Sequence, residues 1–197
     1  MVLTFTFLSQ KHHARVATMT SLKKLASADQ VNQSISQLAQ DIISDYEQTP
    51  LFVALLRGAA PFASKLMHAI AELSPEFHPE LDYMMVSTYG DGHHAGEPHI
   101  VTDLAPSTEV RHRPVIIIDD VLDKGITADF VTKHLIARGA SEVKLAVLCQ
   151  KNTQRISDIT PDYCGFSFAD KWLVGMGLDD SSAVKEGYRW LDEIRQV

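Results

Sequence analysis

Cysteine is scarce in this chain: 197 residues include two, Cys149 and Cys164, both in apolar runs and with no CxxC spacing. A disulfide framework and a zinc ribbon have no basis here, and the pattern fits reduced thiols in a cytoplasmic protein. Long apolar runs are missing as well. Nothing approaches the ~20 residues of a membrane-spanning helix. Basic residues are outnumbered: 18 Lys and Arg face 25 Asp and Glu, for a formal net charge of −7. That balance excludes the broad positive footprint of a general nucleic-acid binder. A Walker phosphate loop, GxxxxGK[ST], does not occur. Nor does a dinucleotide GxGxxG; Gly175-Met176-Gly177 lacks the third glycine and a following helix. An anionic small ligand stays open, because a helix N-terminus and a divalent cation can reverse the field locally.

What is there is ordinary in bulk. The 45% hydrophobic and 22% charged residues match a globular chain, long enough for one sizeable core or a domain with a small appendage. Met1 to Leu8 is apolar, but Lys11 and Arg15 follow it rather than precede it, which fits a secretory signal poorly. Residues 1–19 are expected to be a disordered extension, with Met19 an alternative start, since capped helical sequence begins soon after it. Asp29 to Glu47 and Phe62 to Leu73 carry apolar residues at helical spacing, and Pro61 suits a first helical turn. Leu51–Leu56, Leu81–Tyr89, Val115–Ile118, Val143–Leu148 and Tyr163–Phe168 read as strands. Gly90 to Pro114 is polar and rich in Gly, His and Pro; it reads as a long binding loop with a short strand near His99 to Val101. Alternating strands and helices imply an α/β fold with a mainly parallel, twisted sheet flanked by helices. Trp172 to Gly177 and the polar tail read as a small flap. The expected division is a core domain over 20–170, with 171–197 as the C-terminal part of a hood in the same unit.

The densest chemistry lies in Val115-Ile116-Ile117-Ile118-Asp119-Asp120-Val121-Leu122-Asp123-Lys124-Gly125-Ile126-Thr127. A β-branched run meets adjacent carboxylates, then a third acid, then a short loop before helical spacing resumes. In open α/β sheets, ligands bind at that strand-to-helix edge. Adjacent acids on an extended chain point to opposite sides, so one can meet a ligand and the other a metal or a neighbouring loop. Carboxylates accept from vicinal hydroxyls and ligate Mg²⁺. Lys124, Gly125, Ile126 and Thr127 offer successive backbone N–H groups, a permissive glycine and a hydroxyl, which is how a phosphate is held. The plain structural alternative is an acidic strand end with Thr127 as helix N-cap.

This stretch resembles the phosphoribosyl-pyrophosphate signature of the type I phosphoribosyltransferases. Leu55-Leu56-Arg57-Gly58-Ala59, Val86-Ser87-Thr88-Tyr89-Gly90, Pro161-Asp162-Tyr163-Cys164-Gly165-Phe166 and Asp170 through Asp179 narrow the resemblance to the hypoxanthine-guanine branch. It implies a purine-binding hood on the sheet and transfer of a phosphoribosyl group from phosphoribosyl pyrophosphate to a 6-oxopurine. It also implies Mg²⁺ as cofactor, the nucleoside 5′-monophosphate and pyrophosphate as products, and a homodimer or homotetramer in the cytoplasm, with no nucleic-acid or membrane partner.

By matched position, the resemblance gives Asp119 and Asp120 the ribose hydroxyls and Mg²⁺, and Asp123 the purine N7 proton. Lys124 to Thr127 would bind the 5′-phosphate. Arg57 and Gly58 would meet pyrophosphate after a cis non-proline bond. Lys151 would donate to the purine O6, Trp172 would stack on the base, and Leu173 would offer backbone groups to its edge. Thr88 and Tyr89 would belong to a closing lid, and Asp179 would be a second Mg²⁺ ligand. Two departures stand out. Asp119 replaces the usual Glu, and after Asp179 the expected tyrosine and arginine give way to Asp180-Ser181-Ser182-Ala183-Val184-Lys185, with Lys185 where the pyrophosphate-contacting arginine would be. His93, His94 and His99 could suggest a metal site, but in a lid read as mobile, without a paired cluster elsewhere, they are expected to be solvated. The rival readings are a non-catalytic sensor of phosphoribosyl pyrophosphate or nucleotide with the same fold, and a pyrimidine or amino-purine transferase.

Overall fold

The computed structural model describes residues 22–89, 95–182 and 184–197. In chain order its elements are β1 (Lys23–Ala26), α1 (Ala28–Asp45), β2 (Leu51–Leu56), α2 (Ala60–Leu73), β3 (Glu80–Tyr89), β4 (Ala95–Thr102) and β5 (Pro114–Leu122). They continue with α3 (Ile126–Ala137), β6 (Glu142–Asn152), β7 (Tyr163–Ala169), β8 (Leu173–Val174) and β9 (Ile194–Gln196). Among the described residues, no helix is long and apolar enough to cross a membrane.

The uninterrupted apolar runs of β2, β5 and β6 arise because both faces of their sheet are covered. Alternate residues serve opposite sides. Phe52, Ala54, Ile116, Ile118, Ala146 and Leu148 pack with α1 and α2. Leu51, Val53, Leu55, Val115, Ile117 and Leu145 pack with Ala128, Val131 and Leu135 of α3. Each such large side chain contributes about 1.5–3 kcal/mol by leaving water. α1 starts where Ser27 forms a reciprocal capping box with Gln30. It buries Val31, Ile35, Leu38, Ala39 and Ile42, the apolar face read from spacing.

The main sheet has six strands in the order β4-β3-β2-β5-β6-β7, with only the β3–β4 pair antiparallel. From β2 the chain moves outward to β3 and β4, then returns to the other side of β2 and continues through β5, β6 and β7. Strand direction of progress therefore reverses between β2 and β5, and the crevice beyond their carboxyl ends is the switch point where such sheets bind ligands.

Two expectations need correction. The strand expected near His99 to Val101 is longer than that: β4 runs over Ala95–Thr102 as an antiparallel edge strand. Its ladder to β3 outweighs its weak strand propensity, and an edge position tolerates Pro98. A strand, β1, separates Met19 from the first helix, whose cap is Ser27. The flap segment packs on the core. β8 and β1 both pair with β9 in a second sheet, and Ala26, Leu173, Met176, Leu178 and Ile194 join the α1–α2 core. The expectations for residues 1–19, His93 and His94 fall outside the described residues.

Candidate active site

The switch point brings Arg57-Gly58 from the end of β2 against Asp119-Asp120 from the end of β5. The Leu56–Arg57 peptide bond is cis. Gly58 leaves no space for a side chain, because a Cβ there would lie 2.1 Å from Asp120 Oδ2. Gly177 closes the same junction from the hood: its φ is +104°, and a Cβ would lie 1.8 Å from the Gly58 carbonyl oxygen. Three segments far apart in sequence are thus in backbone-close contact around one carboxylate. Asp119 accepts from the Asp120 N–H at 3.0 Å. Burial and then the neighbouring Asp120 push the Asp119 carboxyl well above the usual range; burial also raises Asp120, with Arg189 partly opposing it.

At the following turn Gly125 takes the N-cap position of α3 with φ +82° and no side-chain cap. Thr127 is therefore inside the helix, and the plain N-cap alternative does not hold. The first-turn N–H groups are left to an external acceptor. Residues beyond β6 pack behind this loop. Lys124 Nζ donates to Thr153 Oγ1 at 2.7 Å, the Lys124 carbonyl accepts from the Ile156 N–H at 3.0 Å, and a Cβ on Gly125 would lie 2.4 Å from Ser157 Oγ. The Lys124 ammonium is turned away from the cradle, which leaves the backbone to form it.

Asp123 sits beside Lys151, which reaches it from the carboxyl end of β6 with Nζ–Oδ2 at 3.0 Å. The other oxygen, Oδ1, is buried and lacks a hydrogen-bond partner. The Lys151 ammonium also lies 5.8 Å from the centre of the Trp172 ring, a cation–π distance. Trp172 is 59% exposed, so it is not a core tryptophan; its ring presents a face to solvent beside the acid–lysine pair. Leu173 buries its side chain while β8 forms the open edge of the hood sheet. Thr88 lies near the end of β3, and Tyr89 ends that strand; the Tyr89 side chain lies outside the described residues.

Asp179 and Lys185 are placed differently from the sequence expectation. Asp179 is taken up by Arg189 Nη2 at 2.7 Å and Ser181 Oγ at 2.5 Å. Lys185 is exposed, and the cation that reaches the crevice is Arg189, the one buried charged residue among the described residues. Arg189 also donates to the Gly177 carbonyl and to Glu186, whose other oxygen accepts from Arg57. Hydrogen bonds from Arg189 and Arg57 hold the Glu186 carboxyl below its ordinary range. The Tyr188-Arg189 dipeptide, its arginine four positions beyond Lys185, is the sequence signal that points to this residue. Among the described residues, no group of three or more His, Cys, Asp or Glu side chains forms a ready metal cage. The residues nonetheless suit Mg²⁺: two adjacent half-buried acids repel each other, and this ion is commonly held by one or two carboxylates together with substrate phosphates and water.

An uncapped glycine-led helix start, adjacent acids and an acid–lysine–aromatic group meet at the switch point of an α/β sheet, the arrangement of an α/β protein that binds a small anionic ligand there. Comparisons with known proteins name the family. The family profile described as the phosphoribosyl transferase domain matches residues 21–181. The hypoxanthine-guanine phosphoribosyltransferase of Bacillus subtilis (strain 168) is 34% identical over 159 residues, covering 80% of this chain and 84% of that one. Its counterpart in Lactococcus lactis subsp. lactis is 34% identical over 169 residues, covering 85% and 86%. A crystal structure of a hypoxanthine phosphoribosyltransferase from Staphylococcus aureus superposes with a TM-score of 0.80 at 30% identity, covering 92% of this chain and 94% of that one. The chain belongs to the phosphoribosyltransferases, in the hypoxanthine-guanine phosphoribosyltransferase family.

Proposed function

We propose that this protein transfers the phosphoribosyl group of phosphoribosyl pyrophosphate to hypoxanthine or guanine, yielding the nucleoside 5′-monophosphate and pyrophosphate. The observation that carries the reading is the grouping of Asp123, Lys151 and Trp172 beside the phosphate cradle. The bond from the anomeric carbon to pyrophosphate breaks, its electron pair leaving with pyrophosphate. Purine N9 bonds to that carbon, and Asp123 takes the N7 proton. The developing positive charge on the sugar lies near the Asp119–Asp120 carboxylates, and the unpartnered Asp123 Oδ1 is relieved when a donor or proton arrives.

Substrate binding turns the Lys151 ammonium from Asp123 to the purine O6, while Trp172 stacks on the ring and the open edge of β8 at Leu173 meets the C2 side. Adenine carries a donor where Lys151 needs an acceptor, and such mismatches discriminate by up to ~10⁴–10⁵-fold. Gly125, Ile126 and Thr127, with the Lys124 backbone, hold the 5′-phosphate. Arg57, Gly58 and Arg189 hold pyrophosphate, with Arg189 rather than Lys185 in that role. Asp119 and Asp120 hold Mg²⁺, which supplies charge neutralisation of the leaving group. Asp179 is available to a cation once Arg189 leaves it. Thr88 and Tyr89 form the root of the lid. Cytoplasmic residence, self-association into a dimer or tetramer, and the division into residues 1–19, 20–170 and 171–197 belong to the same reading.

The test is a panel of hypoxanthine, guanine, xanthine and adenine with phosphoribosyl pyrophosphate, with and without Mg²⁺. Nucleotide is expected from hypoxanthine and guanine, only with Mg²⁺, and not from adenine. Absence of product from every oxopurine overturns the proposal.

A further inference from the structure

The carboxylate of Glu186 bridges two guanidinium groups from distant parts of the chain. Its Oε1 accepts from Arg57 Nη1 at 2.5 Å, and its Oε2 accepts from Arg189 Nε. Arg57 follows β2 at the switch point; Arg189 comes from the hood and acts on Asp120 across the same crevice. A carboxylate holding one arginine on each oxygen has the same charge pattern as one phosphoryl group of pyrophosphate held by two arginines.

Core packing does not account for the contact. The Arg57 side chain is 56% exposed and that of Glu186 30%. The backbone is bent to deliver the acid. Glu186 has φ +60°, a left-handed conformation that a residue with a Cβ seldom adopts and that tends to persist at functional sites. The preceding loop is tied by Asp180 N–H to the Gly187 carbonyl at 3.0 Å and Gly187 N–H to the Val184 carbonyl at 2.9 Å.

We propose that Glu186 is an internal counter-anion of the pyrophosphate subsite. In the ligand-free protein it occupies both arginines, and the diphosphate of the incoming substrate displaces it. The inference rests on the function proposed above and adds a residue that sets affinity for the diphosphate-bearing substrate and product without touching the purine. A multiply charged diphosphate outcompetes a single carboxylate for the two guanidinium groups. When pyrophosphate is to leave, Glu186 is the group that replaces it, so the same contact favours product release.

The experiment compares the full chain with E186Q and E186A, measuring the Kd of pyrophosphate with Mg²⁺ by calorimetry and the KM of each substrate. Losing an internal competitor whose carboxylate is partly exposed should tighten pyrophosphate and lower the KM for phosphoribosyl pyrophosphate by about 3- to 10-fold, while the purine KM stays put. Both variants should melt with the parent. If Glu186 merely props the arginines, both variants bind pyrophosphate more weakly and E186D restores the parent's affinity; that result, or unchanged affinity, overturns the inference while the proposed function stands. A parent protein that neither binds pyrophosphate nor forms nucleotide overturns both.

Discussion

Lys151 Nζ lies 3.0 Å from Asp123 Oδ2, so the cation proposed to meet the base and the acid proposed to take its proton are paired with each other in the ligand-free protein. The pair joins the end of β6 to the turn after β5, and Trp172 of the hood lies against the lysine. Replacing Lys151 by Ala removes the donor to O6 and leaves Asp123 without its partner. The oxopurine KM should rise about 10- to 100-fold, the worth of one charge-assisted hydrogen bond, and the margin over adenine should shrink. Steady-state kinetics across the base panel measures this; an unchanged base profile rejects the assignment.

Asp123→Asn keeps the shape and removes the base. Turnover should fall by about 10²–10⁴ with little change in purine affinity. A non-catalytic sensor of the same fold would show no turnover to lose, so the parent's rate separates the two readings.

Gly58 and Gly177 close the crevice by backbone contact, and their substitution separates affinity from folding. At Gly58 the obstacle is the Asp120 carboxylate, a side chain that can move, so Ala there should cost about 1–3 kcal/mol of stability and disturb sugar and metal binding further. At Gly177 the obstacle is backbone and φ is positive, so Ala should be the more damaging change. Urea denaturation ranks them; equal stability of Gly177→Ala and the parent contradicts the observed packing.

The paired acids make a pH prediction for the ligand-free protein in chelator. Burial raises Asp119 above the 3.8 of an unfolded chain, so the folded state holds the proton more tightly. Stability from this group is complete below 3.8 and is lost as pH rises through the raised folded value. Asp119→Asn removes the loss, so its stability relative to the parent should grow with pH across that window. A difference that is flat with pH refutes this. The same variant should lose the stabilisation that Mg²⁺ with phosphoribosyl pyrophosphate gives the parent, seen as a smaller rise in Tm.

The hood shares the main core, which makes it structural as well as functional. Ile194→Ala, at a fully buried position in β9, should cost about 2–5 kcal/mol and be lost in one transition with the sheet. A separate early transition for the hood would show that it folds on its own.

The sequence by itself determined the central strands β2, β5 and β6, because residues buried on both faces must be apolar along a continuous run. It determined the faces of α1 and α2 through their spacing, and the cradle after β5 through an acid-rich strand end followed by glycine. These are local signals whose cause lies within a few residues. Tertiary structure decided the rest. β4 exists because β3 offers it a ladder, and the hood is part of the core because Leu173, Met176 and Ile194 reach the α1–α2 layer. Arg189, not Lys185, enters the crevice, because the fold of the 180–188 segment buries the one and leaves the other exposed. The bridge from Arg57 through Glu186 to Arg189 joins residues 129 positions apart, and only the closing of the hood over the switch point brings their charges together.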